Sequence, residues 1–233
     1  MNKKFLAIIP ARGGSKSLPG KNMKKLRGLS LIGHAICGAK KSRYISRVVV
    51  STDDNGIARL ARRLGSEVVM RPASLAKDNS RMAGAIMHCL KELKKKDGYV
   101  PDALMLLQPT SPLRTSLHID EAFDILLNMD CDAVISVFKP MYHPLKSFKT
   151  YGRGYLRAMV KSKFSFTPRQ ALPTPYVPNG AIYLIKTAAF VKYHMLFTPK
   201  TLPYIMSRSE SVDIDDMDDF RYAEYLMRRK KRS

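Results

Sequence analysis

Five short apolar runs recur over the first 138 residues, and most are separated by a helical pattern. This alternation constrains the fold more than any other feature of the chain. The runs are KFLAIIP (Lys4–Pro10), RVVVST (Arg47–Thr52), EVVM (Glu67–Met70), ALMLLQ (Ala103–Gln108) and DAVISVF (Asp132–Phe138). They are apolar at successive rather than alternate positions, as strands covered on both faces are. Between them, Ile57, Leu60, Ala61 and Leu64 recur at i, i+3, i+4 and i+7, behind Asp53, Asp54 and Asn55 as caps. Met82, Ala85, Ile86, Cys89, Leu90 and Leu93 hold the same spacing for three turns, and Ile119, Ala122, Phe123, Leu126 and Leu127 repeat it. The pattern predicts an α/β domain built on a mostly parallel sheet with helices on both faces.

After Phe138 the rhythm stops. Residues 139–178 scatter Pro, Gly, Tyr and Phe without a helical period, which predicts an insertion of hairpins and loops. GAIYLIK (Gly180–Lys186) returns to strand, and Asp218–Ser233 reads as a closing helix whose basic end suits the helix dipole. The expected division is a main domain over 1–138 and 179–233, with an inserted arm over 139–178.

Charge and cysteine content narrow the function. With 41 Lys and Arg against 19 Asp and Glu, the net charge is +22, which raises nucleic acid as a partner. The cations are scattered, however, over Lys40, Lys41 and Arg43, over Arg59, Arg62 and Arg63, over Lys94–Lys96 and over Arg228–Arg232, and no nucleic-acid-binding motif accompanies them. Nucleic acid is therefore not the expected partner. Cys37, Cys89 and Cys131 are odd in number and form no CxxC pair, which excludes a disulfide framework and a cysteine zinc site. No apolar run approaches the roughly 18–20 residues of a membrane span. The segment Phe5–Ile9 is too short for the core of a signal peptide, so a cytoplasmic protein is expected.

The first strand opens onto IIPARGGSKSLPGKN (Ile8–Asn22), where Arg12, Lys16 and Lys21 flank Gly13, Gly14 and Gly20. Ligands of parallel sheets bind outside the carboxyl ends of the strands. Glycines let backbone N–H groups approach an anion, a following helix dipole would favour it, and three cations point to several phosphates. The loop is not a P-loop: Gly14 to Gly20 is one residue too long, and Asn22 stands where Ser or Thr is required. The fingerprint GxGxxG is also absent. A plain strand-to-helix turn is the alternative reading. Near the other end of the chain, VDIDDMDDF places Asp213 and Asp215 on one side of an extended segment, a pair suited to Mg²⁺. Asp216, Asp218 and Asp219 read instead as caps of the closing helix.

IPARGGSKSLPGKN resembles the N-terminal signature of the CMP-sugar synthetases, most of all the CMP-N-acetylneuraminate synthetases (acylneuraminate cytidylyltransferases). VVVSTDD, VVMRPASLAKD, LLQPTSPLR, HPLKSF, RQALP, NGAIYLI, YIMS and VDID match in the same order, over nearly the whole chain. The resemblance implies a Rossmann-like fold of nucleotidyltransferase type with a dimerisation arm. It implies transfer of CMP from CTP to a sialic-acid-like nine-carbon 2-keto acid, with pyrophosphate released and Mg²⁺ (or Mn²⁺) held by Asp213 and Asp215. On the nucleotide side it implies Arg12, Lys16 and Lys21, with Gly13 and Gly14, for the phosphates, Ala11 and Asn22 as further nucleotide-binding residues, and Arg71, Asp78 and Ser80 near cytosine and ribose. Arg71 as a surface cation and Ser80 as a helix cap are the alternatives.

For the sugar acid, the resemblance implies Gln108, Thr110, Ser111, Asn179 and Tyr183. It adds Lys146, Arg169 and Gln170 from the arm, reaching the neighbouring active site of a homodimer. Tyr183 as a packing residue, and Thr110–Ser111–Pro112 as a plain turn, are the alternatives. Some relatives carry Arg just before the PNG step, where this chain has Val177. Synthetases for legionaminate, pseudaminate and Kdo share the chemistry. The Kdo branch has Arg and Pro where this chain has Lys16 and Asn22. None of His34, His88, His118, His143 or His194 has the context of an acid/base pair, so no general base is assigned.

Overall fold

The computed structural model describes residues 3–14, 17–75 and 82–230. In chain order its strands and α-helices are β1 (Phe5–Pro10), β2 (Lys25–Leu26), β3 (Leu29–Ser30), α1 (Leu31–Lys40), β4 (Arg47–Thr52), α2 (Asn55–Arg63), β5 (Glu67–Met70), α3 (Met82–Asp97), β6 (Ala103–Leu106), α4 (Ser116–Asn128), β7 (Ala133–Phe138), β8 (Phe148–Tyr151), β9 (Tyr155–Ala158), α5 (Lys163–Phe166), β10 (Val177–Lys186), α6 (Thr187–Tyr193), β11 (Thr201–Ile205) and α7 (Met217–Lys230). Seven strands form one sheet in the order β11-β7-β10-β6-β1-β4-β5. All pairs are parallel except those of β10, which runs antiparallel to both β6 and β7. The expected mostly parallel α/β sheet is present.

Burial explains why the apolar runs are continuous. Ile8 stands between Val49 and Leu106 in the sheet. Alternate residues of β1 serve opposite faces, as the two-residue period of a strand requires. Phe5, Ala7 and Ile9 pack with Ile36 of α1, Ile57 of α2 and Phe123 of α4. Leu6 and Ile8 pack with Ile86 and Cys89 of α3 and Phe190 of α6. Helix starts are fixed locally: Ser30 Oγ accepts from Gly33 N at 3.1 Å, and Asp54 Oδ1 from Ile57 N at 2.8 Å. Thr115 and His118 form a capping box at the start of α4.

A third, smaller cluster positions the site. Leu18, Leu26, Leu31, Leu113, Val212, Ile214 and Ala223 pack together, so the glycine loop, the segment after β6 and the aspartate segment share one support. Residues 139–178 hold the β8–β9 hairpin, two 3-10 turns and the four-residue α5, which is too short to announce itself by period. β10 starts at Val177, one residue before the expected end of the insertion. Val177 pairs with Phe138 and Pro178 with Val137, so the sheet ladder resumes there. β11 was not expected. Pro203 interrupts its apolar pattern, and an edge strand tolerates the missing N–H.

Candidate active site

The carboxyl ends of β1 and β6 open beside the segment preceding α7, around a cavity of about 500 Å³. Arg12, Ser17, Lys21 and Asn22 enter it from the glycine loop, and Arg71 from the end of β5. Gln108, Pro109 and Thr110 enter from the end of β6, and Asp213 and Asp215 from the segment before α7. Pro10 and Met82 complete the lining.

The loop is shaped by backbone constraint as much as by charge. Gly20 has φ 66, in the left-handed region, and turns the chain into a 3-10 turn at Lys21–Met23. The helix expected directly behind the loop is not there: the β2–β3 hairpin intervenes, and α1 begins only at Leu31. The cavity-facing positive charge of the loop comes from its side chains, Arg12 and Lys21. Gly13 is required by close approach, since a Cβ there would lie 2.7 Å from Asp54 Oδ2. Gly13 N–H donates to Asp53 Oδ1 at 3.2 Å, while a Cβ on Gly14 would meet nothing within 4 Å. Ala11 is buried, and its N–H donates to Ser51 O at 2.9 Å. Asn22 Nδ2 donates to Arg12 O at 2.9 Å, so Asn22 props the residue whose side chain lines the cavity.

Three cations and two carboxylates meet here. Arg71 is buried, and desolvation holds its guanidinium below the usual range, with Asp53 at 3.9 Å opposing that shift. Lys21 Nζ donates to Ile214 O at 2.8 Å and to Asp215 Oδ1 at 3.1 Å. Ser17 Oγ donates to Asp215 O at 2.8 Å. Desolvation pushes the Asp213 carboxyl above the ordinary carboxylate range, and Asp215 adds to this. A hydrogen bond with the Thr110 side chain and the charge of Lys21 act the other way. Ile214 is fully buried between the two aspartates, and its N–H donates to Thr110 O at 2.8 Å. Burying Ile214 in the supporting cluster turns Asp213 and Asp215 to the cavity, as alternation along an extended segment predicts.

Other expected site residues do not line this cavity. Ser111 and Asn179 are buried and hydrogen-bonded within the framework, and are not among the residues lining the cavity. Tyr183 is partly buried in β10, and burial followed by the charge of Asp213 raises its pKa. Arg169 donates to the carbonyls of Met141 and Pro140, each at 3.0 Å. Arg169 and Gln170 line a second cavity of about 220 Å³ on the arm, and Lys146 lies in a 3-10 turn nearby. Lys16, Asp78 and Ser80 lie outside the described residues. Sequence reasoning missed Ser17 and Pro109 as lining residues. It read Asp53 only as a helix cap, a role that Asp54 fills.

The profile of the family described as "Cytidylyltransferase" matches residues 6–229. The chain is 35% identical over 219 residues to an N-acylneuraminate cytidylyltransferase of Streptococcus agalactiae serotype III, covering 93% of this chain and 52% of that protein. The chain thus spans about half the length of that relative. It is 33% identical over 230 residues to a CMP-N,N'-diacetyllegionaminic acid synthase of Legionella pneumophila, covering 96% of each. Among solved structures, a CMP:2-keto-3-deoxy-manno-octonic acid synthetase complexed with CTP superposes with a TM-score of 0.70 at 17% identity, covering 98% of this chain and 100% of that one.

Proposed function

Since the chain belongs to the cytidylyltransferase family, we propose that it joins CTP to a sialic-acid-like nine-carbon 2-keto sugar acid, forming a CMP-sugar and releasing pyrophosphate. One observation carries this reading. A single cavity gathers Arg12, Lys21 and Arg71 with Gln108, Thr110, Asp213 and Asp215. Cations suit a triphosphate, an amide and a hydroxyl suit a polyhydroxy acid, and adjacent carboxylates suit a divalent ion.

In the proposed reaction the anomeric hydroxyl attacks the α-phosphorus of CTP, and the bond to the pyrophosphate oxygen breaks in line. Such a transfer needs positioning and charge neutralisation more than covalent help. Arg12 and, by the family resemblance, Lys16 neutralise the departing pyrophosphate, and Lys21 neutralises the α-phosphoryl group. Arg71 serves the base and ribose end. Gln108 and Thr110 orient the acid through its hydroxyl and acyl-amino groups. The acidic wall fits Mg²⁺ (or Mn²⁺): Asp213 is partly desolvated beside a second carboxylate, a condition that a divalent cation relieves. Asp213 and Asp215 would hold the ion, which when bound neutralises phosphate oxygens and lowers the pKa of a hydroxyl.

The arm supports the reading of a homodimer. It exposes Tyr142, Tyr155, Leu156 and Phe166 at 82%, 73%, 71% and 87%, an amount of apolar surface suited to a second copy. In that assembly Lys146, Arg169 and Gln170 reach the partner's cavity. No helix among the described residues is long and apolar enough to cross a membrane, and CTP as substrate suits a cytoplasmic enzyme.

A second reading, in which the acceptor is a legionaminate-type acid, is favoured by the Legionella relative matching over 96% of both chains. The test is pyrophosphate release from CTP and Mg²⁺ across sialic, legionaminic, pseudaminic and Kdo acids. Release with one nine-carbon acid identifies the acceptor. Release with none overturns the proposal.

A further inference from the structure

Beneath the cavity, β10 is irregular in a way the proposed reaction does not use. Its register against β7 shifts between Pro178 and Tyr183, and Gly180 has φ 75. A Cβ on Gly180 would lie 2.6 Å from Gln108 Oε1 and 3.4 Å from both Asp213 Oδ2 and Ser111 Oγ. Glycine suits the position twice, for its left-handed backbone angle and because a Cβ there would push the Gln108 amide aside.

The irregularity is fastened from several sides. Asn179 Oδ1 accepts from Ser136 Oγ at 2.5 Å and from Ala181 N at 3.1 Å. Asn179 Nδ2 donates to Ser211 Oγ at 2.9 Å, which ties the bulge to the segment leading to Asp213. Ser111 Oγ donates to Asn179 O at 3.4 Å. Arg114 is 5% exposed, and its Nη1 donates both to Gln108 O at 3.0 Å and to Ala181 O at 2.7 Å. No carboxylate among the described residues is within ion-pair distance of Arg114, and Nε has no hydrogen-bond partner. Burying a guanidinium against carbonyls alone is costly, so what it does there must offset that cost.

We infer that Gly180 and Arg114 are positioning residues: the bare Cα at Gly180 lets the Gln108 side chain lie beside Asp213, and Arg114 fixes the Gln108 backbone to the bulge. The inference rests on the reading of Gln108 as a contact to the sugar acid and of Asp213 as a metal ligand. A displaced Gln108 would lose its contact to the acid, while the nucleotide contacts on the glycine loop stay as they are. Loss of a contact made to the bound acid raises the KM for the acid and leaves that for CTP as it is.

The test is a double-mutant cycle on Gly180→Ala and Gln108→Ala, read by steady-state kinetics with each substrate varied. Gly180→Ala alone is expected to raise the KM for the acid about tenfold and to leave the KM for CTP within about twofold. In the Gln108→Ala background the same substitution is expected to move the acid KM less than about twofold, because the clashing Oε1 is gone. Backbone strain alone would act equally in both backgrounds, so equal effects overturn the proposal, as does an equal rise for CTP.

If Gly180→Ala fails to fold, Arg114→Gln carries the test. It removes the buried charge and keeps a shorter amide donor group, and it is expected to raise the acid KM about threefold with the CTP KM unchanged. Unchanged kinetics in this variant overturn the role of Arg114. The ¹⁵N signal of the Gln108 side-chain amide, assigned by its loss in Gln108→Ala, separates this inference from the function it rests on. A signal that moves in the variants while no acid supports pyrophosphate release sustains the positioning and sinks the sugar reading. A signal that stays in place overturns the positioning.

Discussion

Ile214 shows how a single residue organises chemistry that it does not touch. Its side chain is fully buried with Leu113 and Val212, and that burial presents Asp213 and Asp215 to the cavity. Ile214→Ala is expected to cost about 2–5 kcal/mol in denaturant unfolding, the range for truncating a buried aliphatic side chain. The aspartates themselves carry little of that stability. Asp215→Ala is expected to reduce Mg²⁺-supported pyrophosphate release at least about a hundredfold while leaving the unfolding midpoint nearly unchanged. Near-normal turnover would remove Asp215 from the metal assignment. Cysteine reactivity provides an independent check on the core. Burial pushes the Cys89 thiol up to about 11, whereas Cys37 is partly accessible. Alkylation of the native protein near pH 8, followed by mass spectrometry, is expected to label Cys37 first and Cys89 only on unfolding.

Between elements, the clearest electrostatic fastening is Arg47 of β4. It pairs with Glu67 of β5 at 2.5 Å and with Asp97 at the end of α3 at 2.7 Å. Hydrogen bonding from Arg47 is the chief cause that holds both carboxyls below their usual range. Their stabilisation is therefore complete above the unfolded-state carboxylate pKa of about 4 and is lost as pH falls through the lower folded-state values. Unfolding midpoints measured from pH 7 to pH 3 are expected to drop more steeply in the wild type than in Arg47→Met. Parallel curves would exclude the network as a source of acid sensitivity. The elements differ in how readable they are from sequence. β1, β4, β5, β6 and β7 were legible because strands covered on both faces leave unbroken apolar runs. α2 was legible from period and cap together, and α4 from its period. β11 was not, because Pro203 breaks its pattern and its place comes from pairing with β7. The same holds for the site. Arg12, Lys21, Asp213 and Asp215 stand out in the sequence by charge and spacing. Arg114 and Gly180 act through contacts between residues about 70 positions apart, which no local pattern records.

On the scale of the whole molecule, the arm and the main cavity make a joint prediction. Lys21 lines the cavity, and Arg169 sits on the arm away from it. Lys21→Ala and Arg169→Ala proteins, each weakly active alone, are expected to recover a measurable fraction of activity when mixed and allowed to exchange subunits. No recovery, with exchange verified by mass spectrometry, would remove the shared-site dimer. The place of β10 between β6 and β7 has a consequence for biosynthesis. On the ribosome, a nascent polypeptide that has not yet reached residue 177 leaves β6 and β7 without the strand that lies between them, and each bare margin can recruit the wrong neighbour. Emergence of that late-arriving strand closes this gap, whereas Asp213 and Asp215 are synthesised after it, so protection from mispairing is gained before competence for ligand.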